Sequence, residues 1–568
     1  MIGLIVIFMP LISGLIVWSL RRSEKSSGDA ALVLSRISVG LFIALALLRI
    51  TRRVPATLDF GNLIHYGKYR LDSEWILDLR ALCVLGLSSF LFWIILRFAR
   101  VYLHREAGFN RFFRTLFLSH FGMNLLATAG NADLFFAGWE VVGLTSFLLI
   151  GFYRDRATPV LNAFRTYVVY RICDVGILLG GYLLRENPSI GDRFHSVDAQ
   201  KMMELAQNHP GMAWALGLAI LLPALGKSAQ FPFSFWLPRA LEGPTPSSAV
   251  FYGALSIHAG VFLLLRTQEI WLQLPMIRML IFIFGAISLG VATLAGRAQA
   301  NIKGQIGYAS ISQVGIMFME AALGWTNWVL FHLCSHAVLR TYQFLTSPSV
   351  VTHFIRHPVP ETKSGFYGFT HHPWIRRLSV GEFFLEETWN RVLVRPLLGL
   401  SRSNVGLAAF LGVSYGLMAV YSHPHEGESN RFAALILVLA LGCSLKSIGI
   451  NRDSKRLPWV MASILGALTS AMLVERSAPL LQTCAWGLIP GILLWFSGKM
   501  PLRFFGWLCL AGFPISTFFA GDDLIVHSLG ELGWIGLLVF GLIYILNGVS
   551  LSRAWVGTAW LPHARPLD

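Results

Sequence analysis

Three ionisable residues inside apolar segments could together take up and release a proton. Glu140 lies within the apolar run 134–152, Lys227 ends the run MAWALGLAILLPALGK, and Asp174 stands near the start of a third run. A charge inside a bilayer is costly unless it is protonated, paired or hydrated, so such residues are candidates for an ion pathway by default. A buried lysine holds its proton weakly, and a nearby carboxylate strengthens that hold. We therefore expect a proton switch in which Glu140 pairs with Lys227 and Asp174 competes for the lysine.

Other apolar runs contain histidines that could relay protons. His332 and His336 are four residues apart, which places them on one face of a helix, and Arg340 continues that face. His258 stands in an earlier run. Imidazole exchanges protons near neutral pH, so these side chains are predicted to continue a polar path from Lys227. No metal site is expected, because the two histidines have no acidic or cysteine ligand near them in sequence.

The elements that carry these residues are predicted to be membrane-spanning helices. The chain has 568 residues, of which 55% are hydrophobic and 13% charged, and its mean hydropathy is +0.60. Soluble proteins carry roughly 25% charged residues. Repeated apolar runs indicate an all-α polytopic membrane protein, because each span in lipid must satisfy its own backbone hydrogen bonds. We count about 16 or 17 spans, each near the ~20 residues that a bilayer requires.

The positive charge of the chain is concentrated in short loops. The net charge is +16, which could indicate nucleic-acid binding. Lys and Arg in loops between spans are better explained by the positive-inside rule, so no nucleic-acid partner is expected. The loops after the first, third and fifth spans are basic, which predicts that residues 97–114 face the cytoplasm and 185–210 the opposite side.

One span cannot cross the bilayer as a single straight helix. The run at about 211–240 contains Pro223 and Pro232 and is followed by GPTP at 243–246. Proline removes a backbone donor and kinks or ends a helix. Freed backbone groups are tolerated in membranes where they line a cavity. We therefore expect a broken helix with Lys227 at the break.

No cofactor is expected from the motifs. The six cysteines lie in or beside apolar runs without a CxxC pair, which argues against iron–sulfur, zinc or disulfide frameworks and indicates packing residues. The chain has no Walker A motif, no GxGxxG after a strand and no GxSxG. Neither a nucleotide site nor a redox centre is therefore predicted. The first segment is interpreted as a retained span, not a signal peptide.

Several segments resemble the antiporter-like membrane subunits of respiratory complex I. They are GWEVVGLTSFLLIGFY, VVYRICDVG and ALGKSAQFPFSFWLPRALEGPTPSSA, and the match continues through NIKGQIGYASISQVGIMF and FHLCSHAVLRTYQFLTSPSVV. They are most similar to subunit 5, or L, of that complex and to the large subunit of Mrp-type sodium/proton antiporters. The membrane subunits of inorganic-carbon accumulation complexes are similar as well. The resemblance covers residues 76–350.

The resemblance implies a fold and a set of pathway residues. The fold would consist of inverted repeats of five helices with broken helices, and the first break would lie near Lys227. The family's pathway positions fall on Glu140, Arg171, Asp174, Lys227, Lys303, His332, His336 and Arg340. His258 is a shifted candidate for one further family histidine.

The sequence departs from the family in three places. Arg340 replaces a lysine and can hardly release a proton. Tyr252 replaces the family histidine, and His258 lies about 120° round a helix from that face. The second broken-helix pattern is displaced to LAGFPISTFFAGDDLI at 510–525, with Gly521 where the family has a lysine. The second half-channel is therefore predicted to be rearranged.

Four regions follow from these assignments. They are N-terminal transmembrane helices (1–110), an antiporter-like proton-channel core (111–350), an amphipathic surface segment (351–400), and C-terminal transmembrane helices with the displaced motif (401–568).

The sequence leaves three functions open. The first is a proton- or cation-translocating subunit of a larger complex, most like NADH-quinone oxidoreductase subunit 5/L, with the redox chemistry elsewhere. The second is a subunit of a non-redox, ion-gradient-driven transporter, either an Mrp-type antiporter or an inorganic-carbon uptake complex. The third is a structural membrane scaffold with an inactive channel. All three predict a multi-pass protein of a bacterial inner membrane with other membrane subunits as partners, and the first two predict protons or Na⁺ as the transported ion.

Overall fold

The computed structural model describes residues 2–21, 23–66, 69–187, 190, 197–254, 256–347, 372–421, 428–450, 453–474, 488–496, 500–513, 517–530 and 532–559. Within these ranges the chain is helical apart from one β-hairpin and short turns. Ten of the described helices are long and apolar enough to cross a membrane. The prediction of an all-α, multi-pass membrane protein is thereby confirmed, with the hairpin as an addition.

The hairpin lies at one end of the helix bundle. It follows α1 (Ile2–Ser19) and α2 (Glu24–Ile50) and consists of β1 (Thr57–Tyr66) and β2 (Tyr69–Ile76), which pair antiparallel. The sequence predicts only an extramembrane loop for this stretch. A bridge between Trp75 and Ala129 holds β2 against the end of a core helix. The side of the bundle that carries the hairpin is termed the hairpin face.

Six helices follow and form the first part of the core. They are α3 (Leu79–Tyr102), α4 (Phe109–Thr128), α5 (Ala132–Ile150), α6 (Ala157–Arg185), α7 (Ala199–Asn208) and α8 (Pro210–Lys227). Asn131 caps α5 by accepting a hydrogen bond from the Leu134 amide at 2.8 Å. Nearly every residue of α5 is buried, so Glu140 on this helix faces protein on all sides. The side opposite to the hairpin carries Arg105, Arg111 and Arg154 and is termed the arginine face.

The helix that ends at Lys227 is broken there, as predicted. A turn over 228–235 leads to α9 (Trp236–Arg239), a 3₁₀ turn (Ala240–Glu242), α10 (Thr245–Ser248), a π-helical turn (Ala249–Ala254) and α11 (Ala259–Arg266). Trp236 Nε1 donates to the carbonyl of Gly226 at 3.0 Å, so a side chain satisfies one backbone group freed by the break. The next predicted span is interrupted too, and His258 stands just before α11.

Two long helices close the core on the other side of the break. After α12 (Gln268–Trp271), the helices α13 (Pro275–Arg297) and α14 (Ile302–Ala322) pack as an antiparallel pair, and α15 (Thr326–Thr346) follows. Gly285 and Gly315 face each other where α13 and α14 approach most closely, and a Cβ on either would collide with the other's carbonyl. The helices α14 and α15 are less apolar than the ten spans because they carry polar site residues.

A surface segment connects the core to the C-terminal helices. Its described part consists of α16 (Pro373–Val380), a 3₁₀ turn (Glu382–Phe384), α17 (Leu385–Trp389), a π-helical turn (Asn390–Val394) and α18 (Arg395–Arg402). Arg239 pairs with Glu382 at 2.8 Å and with Glu386 at 3.3 Å. Arg165 pairs with Glu386 at 3.0 Å. These ion pairs fasten the segment to the arginine face, whereas the predicted part 351–371 lies outside the described residues.

The C-terminal helices pack against α6. They are α19 (Asn404–Tyr421), α20 (Glu428–Ile448), α21 (Asp453–Val474), α22 (488–496), α23 (Met500–Leu510), α24 (Thr517–Gly530) and α25 (Gly533–Ala559). Gly541 and Gly548 bring α25 into contact with Val175 and Arg171 on α6. Gly521 belongs to the backbone of α24, but its surroundings lie outside the described residues. The division into four regions stays a prediction.

Candidate functional site

Lys227 is fully buried at the end of α8. Its Nζ donates to the carbonyl of Trp139 at 3.1 Å and lies 4.0 Å from Oδ2 of Asp174. The ammonium also lies 4.2 Å from the ring centroid of Tyr170 and 4.9 Å from that of Trp139. Gly143 leaves room for it, since a Cβ there would stand 2.9 Å from Nζ. A carbonyl, a carboxylate and two aromatic faces therefore replace the water that the ammonium has lost.

The two carboxylates near this lysine have different partners. Glu140 Oε1 accepts a hydrogen bond from Arg171 Nη1 at 2.9 Å. Asp174 Oδ1 accepts from Trp139 Nε1 at 2.6 Å, while its Oδ2 faces Lys227. All four charged side chains are at most 3% exposed. Among the described residues the lysine is thus paired with Asp174, the competitor that the sequence suggested, and Glu140 is held by arginine.

Trp139 links these two ion pairs, and the sequence gives no signal for it. Its carbonyl binds Lys227, its indole binds Asp174, and it precedes Glu140 in the chain. Aromatic residues are common in membrane spans, so a tryptophan beside a buried glutamate does not stand out.

Arg171 extends the site toward the C-terminal helices. Its Nη2 donates to the carbonyl of Ala511, in the turn after α23. The guanidinium lies 3.9 Å from the ring centroid of Tyr544 and 5.6 Å from that of Phe513. Arg171 and Asn547 both line a cavity of about 20 Å³, enough for one water. Arginine from the first half of the chain therefore reaches the turn after α23, within the segment 510–525 that the sequence analysis singled out.

His258, His336 and Arg340 form one hydrogen-bonded chain, in which His258 takes the place next to His336 that the sequence analysis left open. His258 Nε2 and His336 Nδ1 are 2.8 Å apart, and Arg340 Nε donates to His336 Nε2 at 3.1 Å. Arginine has no acceptor, so His336 Nε2 must accept, and the proton of a neutral His336 sits on Nδ1. That proton is donated to His258 Nε2, which leaves the proton of a neutral His258 on Nδ1.

The lysine and the histidine chain are separated by a short polar gap. The hydroxyl of Ser228, which follows Lys227, donates to the carbonyl of Ile257, which precedes His258, at 2.7 Å. Two buried polar atoms around this gap have no hydrogen-bond partner among the described residues: His258 Nδ1 and Gln230 Oε1. Buried polar atoms are normally satisfied by protein or by ordered water. The gap is therefore suited to water that connects lysine and imidazole.

His332 has partners on α14 that the sequence did not reveal. Its Nδ1 lies 3.0 Å from Oε2 of Glu320, and its Nε2 lies 3.1 Å from Oε1 of Gln313. The ring centroids of His332 and His336 are 6.3 Å apart. Glu320 and Gln313 are 12 and 19 residues from His332, and only the antiparallel packing of α14 and α15 brings them together.

Lys303 does not join either cluster. Its Nζ donates to Thr245 Oγ1 at 2.7 Å, and Thr245 in turn donates to Tyr102 Oη at 3.1 Å. Lys303 stands at the first turn of α14, near the arginine face, and is only partly buried. The side chain of Tyr252 lies outside the described residues. Among the described residues, no group of three or more His, Cys, Asp or Glu side chains could hold a metal ion.

Comparison with known proteins places this geometry in a family. Residues 129–362 match the family model described as NADH:quinone oxidoreductase/Mrp antiporter, TM. NADH-ubiquinone oxidoreductase chain 5 of Pseudosoriculus fumidus is 30% identical over 420 residues, which cover 72% of this chain and 67% of that protein. The chain belongs to the NADH:quinone oxidoreductase/Mrp antiporter transmembrane family.

Other relatives show how far the similarity to this family extends. NADH-quinone oxidoreductase subunit L of Escherichia coli K12 is 35% identical over 292 residues, which cover 50% of this chain and 46% of that protein. The subunit L of Pseudomonas aeruginosa is 34% identical over 289 residues. The chain thus matches about half the length of these relatives. The fold resembles a chain of the membrane-bound sulfane sulfur reductase, an archaeal respiratory membrane complex, with a TM-score of 0.51, 14% identity and coverage of 95% and 99%.

The match to the family model covers the lysine and histidine clusters but not all of the residues that contact them. The clusters lie entirely within 129–362, whereas the residues around Arg171 at 511–548 lie beyond that range. The antiporter-like part of this chain is therefore the part that carries Lys227 and the histidines.

Proposed function

We propose that this chain is the proton-translocating, antiporter-like subunit of a multi-subunit complex in a bacterial inner membrane, with Lys227 as its central proton carrier. The observation that carries the proposal is the environment of Lys227, a fully buried ammonium between Asp174 and the backbone next to Glu140. The relatives named above as oxidoreductase subunits support a role among other membrane subunits. A buried ammonium repels Na⁺ but can exchange H⁺, so the proton is the proposed ion.

The proposed mechanism is an exchange of carboxylate partners. Two unit charges 4 Å apart attract by about 4 kcal/mol at an effective dielectric of about 20. Removing that attraction weakens proton binding to a lysine by roughly a thousandfold. In this mechanism the loaded state is the one in which Lys227 pairs with Asp174, and the 4.0 Å separation of the two side chains supports it. If Asp174 is drawn away while Arg171 still holds Glu140, the lysine releases its proton into the gap toward His258.

The direction of the hydrogen bonds in the histidine chain defines the next step. His258 Nδ1 carries a proton toward the gap, so His258 can reload a neutral Lys227 and take a proton from His336 through Nε2. Accepting a proton from the lysine requires the two imidazoles first to reverse their hydrogen bonds. Arg340 cannot supply a proton, so His336 must be recharged from elsewhere on α15.

A structural scaffold is the second candidate function, and the replacement of the family lysine by Arg340 favours it. Proton flux distinguishes the two. The complex purified with its partner subunits is reconstituted in vesicles containing a pH-sensitive dye, and its driving reaction or an imposed potassium potential is applied. We expect Glu140→Gln to abolish coupled flux and Glu140→Asp to retain part of it. His120→Phe should transport normally, because His120 is stacked on Phe92 away from the site. Normal flux in Glu140→Gln would favour the scaffold.

A further inference from the structure

Glu320 and His332 form an ion pair near the end of two helices on the hairpin face. Glu320 stands two residues before the end of α14, and His332 lies in the second turn of α15. Their side chains are 10% and 19% exposed, whereas Lys227 is fully buried. The pair is therefore shielded from bulk lipid and water but open at one edge.

The helix ends around this pair have the features of a membrane–water boundary. Trp325 and Trp328, at the turn between α14 and α15, are 57% and 56% exposed, and exposed tryptophans concentrate at that boundary. The end of α14 receives a hydrogen bond from Arg278 of α13 to the carbonyl of Ala322. This end lies on the hairpin face, where Arg266 pairs with Asp78 just after the hairpin.

Both nitrogens of His332 face oxygen acceptors. One contacts the carboxylate of Glu320 and the other the amide oxygen of Gln313. A proton on His332 Nδ1 would be donated to the Glu320 carboxylate, so one exchangeable proton can lie between an imidazole nitrogen and a carboxylate oxygen. His332 also stands one helical turn from His336. His336 needs a proton donor other than Arg340, and His332 is close enough to be that donor.

We propose that Glu320 and His332 are the terminal site at which the histidine chain exchanges protons with water on the hairpin face. The inference rests on the function proposed above. It adds Glu320 to the pathway and names the hairpin face as the side on which the pathway opens. In release, the N–H bond at His332 Nδ1 breaks, the proton forms an O–H bond on Glu320, and the carboxyl group passes it to water. Uptake is the reverse. The ring centroids of His332 and His336 are 6.3 Å apart. A proton passes between the two rings only through a bridging water or after a ring rotates.

The charges around the pair are consistent with this role. The ionisable groups described at this end are Arg278 on α13, Glu269 on α12, Arg266 on α11, Asp78, Arg80 and Cys83 at the start of α3, and Cys334 on α15, with His336 and Arg340 farther along α15. Asp78 is already paired with Arg266, and Glu269 accepts a hydrogen bond from Gln268. Glu320 is therefore the carboxylate that faces His332, and a neutral substitution there removes the acceptor without creating another.

The test compares Glu320→Gln, Glu320→Asp and Glu269→Gln in the reconstituted complex. Glu269 is a matched control on the hairpin face, where it binds Gln268 at 2.8 Å. We expect Glu320→Gln to lower coupled proton flux by about a hundredfold and to abolish its dependence on hairpin-side pH between about pH 5 and 8. Glu320→Asp should restore most of that pH dependence, and Glu269→Gln should leave it unchanged.

The outcomes separate this inference from the proposed function. If Glu320→Gln keeps the wild-type pH dependence while Lys227→Ala is inactive, the terminal site is overturned and the proposed function stands. Full activity in Lys227→Ala overturns the proposed function itself. If Glu320→Gln does not assemble, the wild-type complex is treated with a hydrophobic carbodiimide and the modified carboxyl groups are identified by mass spectrometry. Modification of Glu320 with loss of flux supports the site, and absence of modification contradicts it.

Discussion

Nζ of Lys227 lies 4.0 Å from Oδ2 of Asp174, at the outer limit of an ion pair. The second carboxylate within the same cluster, Glu140, is held by Arg171 at 2.9 Å. The lysine thus has one loosely held partner, while the other carboxylate is occupied. In the proposed mechanism, movement of Asp174 or Arg171 changes which carboxylate stabilises the ammonium.

Asp174→Asn should lower coupled proton flux by about two orders of magnitude, because the lysine loses the carboxylate that stabilises its charged form. The amide oxygen can still accept from Trp139, so the variant should assemble. Flux in vesicles and the elution volume of the complex measure the two effects. Asp174→Glu, which retains the charge, should keep part of the activity. Wild-type flux in Asp174→Asn would show that Lys227 does not depend on this partner.

Trp139→Phe tests whether the indole positions Asp174 for the lysine. The substitution keeps a ring over Lys227 but removes the N–H that binds Asp174 at 2.6 Å. Trp271→Phe is a matched control, since that buried indole donates to the carbonyl of Leu264 at 2.9 Å, outside the site. Both should lose about 1 kcal/mol of stability. Only Trp139→Phe should lose flux, and equal flux in the two variants would exclude a positioning role.

Gly143→Ala should displace the ammonium of Lys227, because the new Cβ would stand 2.9 Å from Nζ. We expect at least about a tenfold loss of flux, since misplacement by 1 Å can reduce rates about a hundredfold. Gly180→Ala is the control, because its Cβ would meet its nearest neighbour, Ala219 Cβ, at 3.8 Å, an ordinary contact. Unchanged flux in Gly143→Ala would mean that the lysine position is not critical.

Residues on the arginine face should be accessible from the cytoplasm. Single cysteines placed at Arg105 and at Asn187, in a chain whose native cysteines have been replaced, should react with a membrane-impermeant maleimide from opposite sides of the membrane. Labelling of both positions from the same side would contradict the predicted topology. Labelling of position 105 from outside and of position 187 from the cytoplasm would instead reverse the side to which the proposed terminal site opens.

Part of the site could be predicted because membranes make polar residues conspicuous. Glu140, Lys227, His332 and His336 stand out as ionisable groups in apolar runs, and the prolines near Lys227 marked the helix break. The four-residue spacing of the histidines defined a shared face. These signals are local in sequence. They marked His258 only as a separate candidate, and its contact with His336 is seen only in the structure.

Other parts of the site depend on contacts that no local pattern encodes. Arg171 reaches Ala511 across 340 residues, and Glu320 meets His332 only because two helices pack antiparallel. The preference of Lys227 for Asp174 over Glu140 is set by distances of a few ångströms within one cluster. Lys303 matched a family position but lies at the start of α14, bound to Thr245. Long-range packing therefore decides which candidate residues meet.

The most direct measurement is proton flux through the reconstituted complex carrying Lys227→Ala. Removing the lysine leaves Asp174 buried without its cation, and breaking a buried pair destabilises a protein by about 3–5 kcal/mol. The double variant Lys227→Ala with Asp174→Asn removes that buried charge as well. It therefore controls for loss of assembly caused by the unpaired carboxylate. Central proton transfer by Lys227 predicts that the double variant assembles and that neither variant supports coupled proton flux. Wild-type flux in an assembled Lys227→Ala complex would contradict it.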